Sequence, residues 1–128
     1  MVIGLGLDLI EIARARASYS RWGSRLIDKL MDPPEAARLG ELSAEPVAAL
    51  AHSIALKEAG SKAIGTGWSR GVRWRDVIVE TRPSLHVRFV HRAAEAAERL
   101  GSSGRTRAAV EVRDGLVLGE VHLLGEPS

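Results

Sequence analysis

Residues 2–8, VIGLGLD, alternate with period two: Ile3, Leu5 and Leu7 fall on one face, and Val2, Gly4, Gly6 and Asp8 on the other. That alternation predicts a β-strand, and its glycines leave one face bare, where another element can approach the backbone closely. From about residue 9 to 30 the pattern turns helical, with Trp22, Leu26, Ile27 and Leu30 at helical spacing, until DPPE at 32–35 interrupts it. A short helical piece, EAARLGEL, follows. Residues 44–64 form the strongest predicted helix, with Val47, Leu50, Ala51, Ile54 and Ala55 as its apolar stripe and Gly65 as its stop.

The second half reads as strands 72–81 and 84–90, a helix over HRAAEAAERLG, and strands TRAAVEVR and LVLGEVHLL joined by Asp114-Gly115. A two-residue Asp-Gly link is a strong hairpin signal. The order β-α-α-β-β-α-β-β predicts an α+β domain, helices packed on a mainly antiparallel sheet. At 128 residues the chain suits one domain spanning 1–128. Zero cysteines exclude disulfides and thiolate chemistry. No apolar run reaches a bilayer's thickness, and the N-terminus lacks a basic leader, which leads us to expect a cytoplasmic protein away from membranes.

Charge is distributed unevenly. Of 18 basic residues only Lys29, Lys57 and Lys62 are lysines, and two of them lie in ALKEAGSKAIGTG, residues 55–67. Glu58 stands between those two and extends the apolar stripe at i+4 from Ile54. One reading pairs Glu58 with Lys62 in a helical ion pair. The other brings Asp8 and Glu58 together beside Lys62 as a site for a hard cation such as Mg²⁺, which takes one or two carboxylates plus phosphate oxygens. Asp8 has a competing role as N-cap of the helix that follows it. The GTG glycines are either a helix C-cap or a backbone nest for phosphate. Arg14, Arg16, Arg21 and Arg25 form an acid-free patch suited to an acidic partner, or a solvated face. Nucleic acid is a poor fit, because no helix-turn-helix or stacking motif accompanies the arginines. None of the four histidines has metal-ligand spacing.

IGLGLDLIEIAR, LMDPPEA and LAHSIALKEAGSKAIGTG followed by WRDVIVE resemble, in order and spacing, the holo-acyl-carrier-protein synthases of the 4'-phosphopantetheinyl transferase superfamily. The resemblance spans residues 2–90 and continues by length and strand pattern. It implies a small cytoplasmic homotrimer that uses Mg²⁺ and coenzyme A to place phosphopantetheine on a serine of an acidic acyl carrier protein, in fatty-acid or polyketide synthesis. By the same likeness Asp8 and Glu58 are the Mg²⁺ ligands and Glu58 and Lys62 the catalytic pair. Gly65, Thr66, Gly67 and Pro83 line the coenzyme A pocket, and Arg14, Arg21 and Arg25 meet the carrier protein. The sequence departs from the family where Ser53 replaces an arginine, where Thr81-Arg82-Pro83 replaces G-x-P, and where Arg113 takes the place of a histidine that touches coenzyme A phosphates. Those departures leave open an alternative: a non-transferase of the same fold that binds a carrier protein or acts on a pathway intermediate.

Overall fold

The computed structural model describes residues 1–126. Strand β1 (Val2–Glu11) leads into helices α1 (Ile12–Trp22), α2 (Ser24–Leu30) and the one-turn α3 (Pro33–Ala36). Helix α4 (Pro46–Ala63), strands β2 (Val77–Glu80) and β3 (His86–Phe89), helix α5 (His91–Arg99) and strands β4 (Thr106–Arg113) and β5 (Leu116–Leu124) complete the chain. The strands form two antiparallel sheets instead of the single one expected, β1-β5-β4 and β2-β3. They are linked by the Ala108 N–H donating to Leu85 O and by Thr106 Oγ1 bonding both backbone groups of Val87.

Helix α4 is the organising element. Glu45 caps it by accepting from the Ala48 N–H, and Pro46 opens it with a φ already suited to a helix. Eleven of its eighteen residues are buried, so the expected apolar stripe is in fact an all-round core helix. One side packs on β1 and β5. Another meets Val77, Val87, Phe89 and the alanines of α5, and its N-terminal half meets α1 and α2.

The bare glycine face of β1 is where α4 lands. A Cβ on Gly4 would lie 2.2 Å from Ala63 O, and one on Gly6 only 1.7 Å from Ala59 O. Gly119 on β5, the register partner of Asp8, also approaches the helix: a Cβ there would lie 2.8 Å from the Ala55 carbonyl carbon. Two strand residues advance about 6.8 Å and four helix residues about 6 Å, so glycines at i, i+2 match helix residues at i, i+4. The helix and strand therefore run together, backbone on backbone.

Three expectations change. β1 continues to Glu11, so Asp8 lies inside the strand and is no N-cap; Glu11 occupies that position without a side-chain cap bond. The long helical region after it breaks at Gly23, which adopts φ 56°. The strand predicted over 72–81 shrinks to 77–80, because Asp76 binds the Arg73 N–H and guanidinium and folds residues 74–76 into a 3₁₀ turn. The Asp114-Gly115 hairpin forms as expected, with φ 52° and 76°. No helix among the described residues is long and apolar enough to cross a membrane.

Lys57 is fully buried, and its Nζ donates to Glu35 Oε1 at 3.0 Å and to the carbonyls of Trp74 and Val77. Glu35 Oε2 in turn accepts the Val79 N–H. The pair thus ties α3 and the start of β2 to α4. Burial pushes the Glu35 carboxyl up and the Lys57 ammonium down from their ordinary values, and each charge partly restores the other.

Candidate active site

The glycine contact sets the site. Asp8 follows Gly6 by two residues and lies level with Ala55, so it faces the same side of α4 as Glu58 and Lys62. Lys62 Nζ reaches Asp8 Oδ1 at 2.7 Å and Leu7 O at 3.1 Å. The helical Glu58–Lys62 pair is therefore replaced by a bridge between strand and helix. The Lys62 ammonium is half exposed, and its Asp8 partner is 20% exposed.

Glu58 is left without an ion pair among the described residues. Burial first, and the nearby Asp8 charge second, raise its proton affinity above the ordinary carboxylate value. Asp8, Glu58 and Arg14 line one cavity of about 490 Å³ with Lys29, Ile54 and Trp74. No group of three or more His, Asp or Glu side chains among the described residues could hold a metal alone. Two carboxylates close enough to repel, opening on a cavity, do suit a hard cation that completes its shell with phosphate oxygens.

The other expected residues lie around this centre. Gly65 and Gly67 adopt φ 80° and 55°, and the turn caps α4: Gly65 N–H donates to Lys62 O, and the Thr66 and Gly67 N–H groups to Ser61 O. Those donors are spent, so the turn is a C-cap and not a free phosphate nest. Ser53 is fully buried with its Oγ unpaired, on a second cavity of about 250 Å³ shared with Arg38, Thr81 and Arg82. Pro83 is exposed just beyond that cavity. Arg113 is exposed on the β4–β5 hairpin, paired with Glu111 at 3.2 Å; within one chain it is not brought to Asp8 and Glu58. Arg21 and Arg25 lie exposed beyond Arg14, with Arg21 stacked over Trp22 at 5.1 Å. His52, His86 and His122 engage Ala48 O, Glu80 and Glu120.

Glu41, unremarked in the sequence, anchors the segment before Pro83. It accepts from Thr81 Oγ1 and from Arg82 Nη2 at 3.1 Å, with Arg38 at 3.4 Å. The Thr81 hydrogen bond chiefly, with the Arg38 and Arg82 charges, holds its carboxyl below the ordinary 4.5. A depressed carboxylate stabilises above its unfolded value and loses that contribution as pH falls through the folded one. Protection factors in the β2–β3 connection, corrected for the intrinsic exchange rate at each pH, should therefore fall as pH drops below 4.5. In Glu41→Gln that acid-dependent step should vanish; an identical profile in both proteins would refute the role.

Comparison with known proteins identifies the family. The family model described as the 4'-phosphopantetheinyl transferase superfamily matches residues 4–113. A holo-acyl-carrier-protein synthase of Solibacter usitatus is 38% identical over 130 residues, covering 98% of this chain and 99% of its own. Another, from Nitratidesulfovibrio vulgaris, is 37% identical over 115 residues and covers 90% of each chain. The crystal structure of holo-acyl-carrier-protein synthase from Neisseria meningitidis matches with a TM-score of 0.80 at 25% identity, covering 97% of this chain and 99% of that one. The Helicobacter pylori synthase, solved in complex with coenzyme A, shares the fold with a TM-score of 0.75 over 94% of this chain and 99% of its own, at 21% identity. With the glycine-seated helix, the paired strand and helix carboxylates and these matches together, the chain belongs to the holo-acyl-carrier-protein synthase family of the 4'-phosphopantetheinyl transferase superfamily.

Proposed function

We propose that this protein transfers the 4'-phosphopantetheine arm of coenzyme A to a serine of an acidic acyl carrier protein. The observation that carries the reading is the meeting of Asp8, Glu58 and Lys62 at one end of the glycine contact, at the mouth of a cavity. Asp8 and Glu58 would hold Mg²⁺, which neutralises charge on the pyrophosphate during transfer. Lys62 adds positive charge on the same side to support the transferring phosphate, and Glu58 is the group placed to receive the serine proton. Thr66 and the flanking glycines, Pro83 and the Ser53 cavity form the nucleotide side. Arg14, with Arg21 and Arg25 outside it, offers positive charge to the carrier.

We further propose a homotrimer working in the cytoplasm in fatty-acid or polyketide synthesis. The uncovered face of the larger sheet supports assembly: Leu5, Leu7 and Leu9 are about half exposed in a row beside Leu118, Glu120 and His122. A solvent-facing leucine row of this kind marks an interaction surface.

The test incubates the protein with Mg²⁺, coenzyme A and a panel of apo carrier proteins and weighs the carriers. A phosphopantetheine mass gain is expected, and Asp8→Ala should slow it about 10²-fold or more, as when a fixed electrostatic partner is removed. No gain across the panel, together with no coenzyme A binding by calorimetry, would sink the reading.

A further inference from the structure

Three of the 18 basic residues are lysines, and the fold commits two of them. Lys57 is buried against Glu35, and Lys62 bridges to Asp8. Lys29 is exposed and forms no ion pair or side-chain hydrogen bond with any described residue, yet it lines the cavity of Asp8 and Glu58.

Its place is fixed by the backbone that carries it. Gly23 turns the chain between α1 and α2, and Leu30 and Met31 then pack with Leu50 in the core. Arg75 pins the same segment, its Nε donating to Asp28 O at 2.6 Å and its Nη1 to Asp32 Oδ1 at 2.9 Å. That bond commits Asp32, the carboxylate three residues beyond Lys29, to another cation. Asp8, Glu11 and Glu58 share the cavity with Lys29, and none pairs with it.

A cation held in a reaction cavity without a counter-charge suits an anion that arrives with the substrate. On the β1–α4 side, Lys62 already supplies charge for phosphate. Lys29 comes instead from α2, and Arg14 of α1 lines the cavity with it, while Arg21 and Arg25 lie exposed beyond. That is the side offered to the carrier. A compact ammonium on a flexible stem suits a single mobile carboxylate, where an arginine fork suits phosphate.

We propose that Lys29 is a specificity-determining residue for the carrier protein, pairing with an acidic side chain beside the serine that is modified. The inference rests on phosphopantetheine transfer as the reaction. The arginines attract any acidic surface from outside, whereas Lys29 selects, at the cavity itself, which carrier seats its serine.

Lys29→Met keeps an unbranched stem and removes the charge. At saturating coenzyme A and Mg²⁺ its KM for the carrier should rise about 10-fold, with kcat and the KM for coenzyme A unchanged. Lys29→Arg should recover most of that loss. A carrier with alanine in place of its serine, titrated calorimetrically without coenzyme A or metal, should bind Lys29→Met more weakly by a similar factor. Lys29→Glu should be rescued by a carrier in which one acidic residue near the serine is exchanged for lysine. Unchanged carrier affinity in Lys29→Met overturns the inference, and so does a loss that falls on the KM for coenzyme A. If the unaltered protein modifies no carrier, the transfer reading itself falls and this inference with it.

Discussion

Lys57→Ala should cost about 3–5 kcal/mol of folding stability, because breaking a buried ion pair strands the remaining charge. Here the stranded group is Glu35, only 7% exposed, and the Trp74 and Val77 carbonyls lose a donor with it. Against a total stability of about 5–15 kcal/mol, that is a large share. Denaturant midpoints of the purified variants would measure it. The double variant Lys57→Met/Glu35→Leu should recover most of the loss, since a well-packed apolar pair often matches a buried ionic one. It should fall short by about 1 kcal/mol, the hydrogen bond that Glu35 gives the Val79 N–H an acceptor for. If Lys57→Ala costs under 1 kcal/mol, or the double variant is worse than the single, the tie between α3, β2 and α4 is not structural in the way described.

Gly6→Ala is the second large effect. The added Cβ would lie 1.7 Å from Ala59 O, 2.7 Å from Ala59 C and 2.9 Å from Ala63 N, all backbone atoms of α4. No rotamer relieves a clash between two backbones, so the helix must lift from the strand. Overpacking a core commonly costs about 1–3 kcal/mol, and a rigid backbone clash belongs at or above the top of that range. The same lift parts Lys62 from Asp8, so carrier modification should fall further than thermal denaturation alone explains. Gly40→Ala is the matched control, since nothing lies within 4 Å of a Cβ there. Equal stability of Gly6→Ala and Gly40→Ala would contradict the backbone contact.

What the sequence revealed was what local rules govern. Alternation gave β1, the Asp-Gly pair gave the β4–β5 hairpin, and apolar spacing gave α4. The convergence of Asp8 with Glu58 and Lys62 came from the glycine face and from the family likeness. Partner choice escaped, because spacing records only neighbours on one element. Lys62 had Glu58 one helical turn away and took Asp8, 54 residues distant. Lys57 was given no partner from spacing, and its partner lies 22 residues earlier, just after the Pro-Pro break. The shortened β2 follows from Asp76, whose hydrogen bonds to Arg73 override β-forming tryptophan and valine.

The leucine row on β1 carries a further implication. Leu5, Leu7 and Leu9 turn away from α4, and nothing among the described residues covers them. For a subunit that hides this row against its own copies, folding free energy rises with concentration by mass action. Such a protein would regulate itself by abundance: scarce copies would be softer and less able to complete one another's sites. The cell would then set the enzyme's competence through how much of it is made.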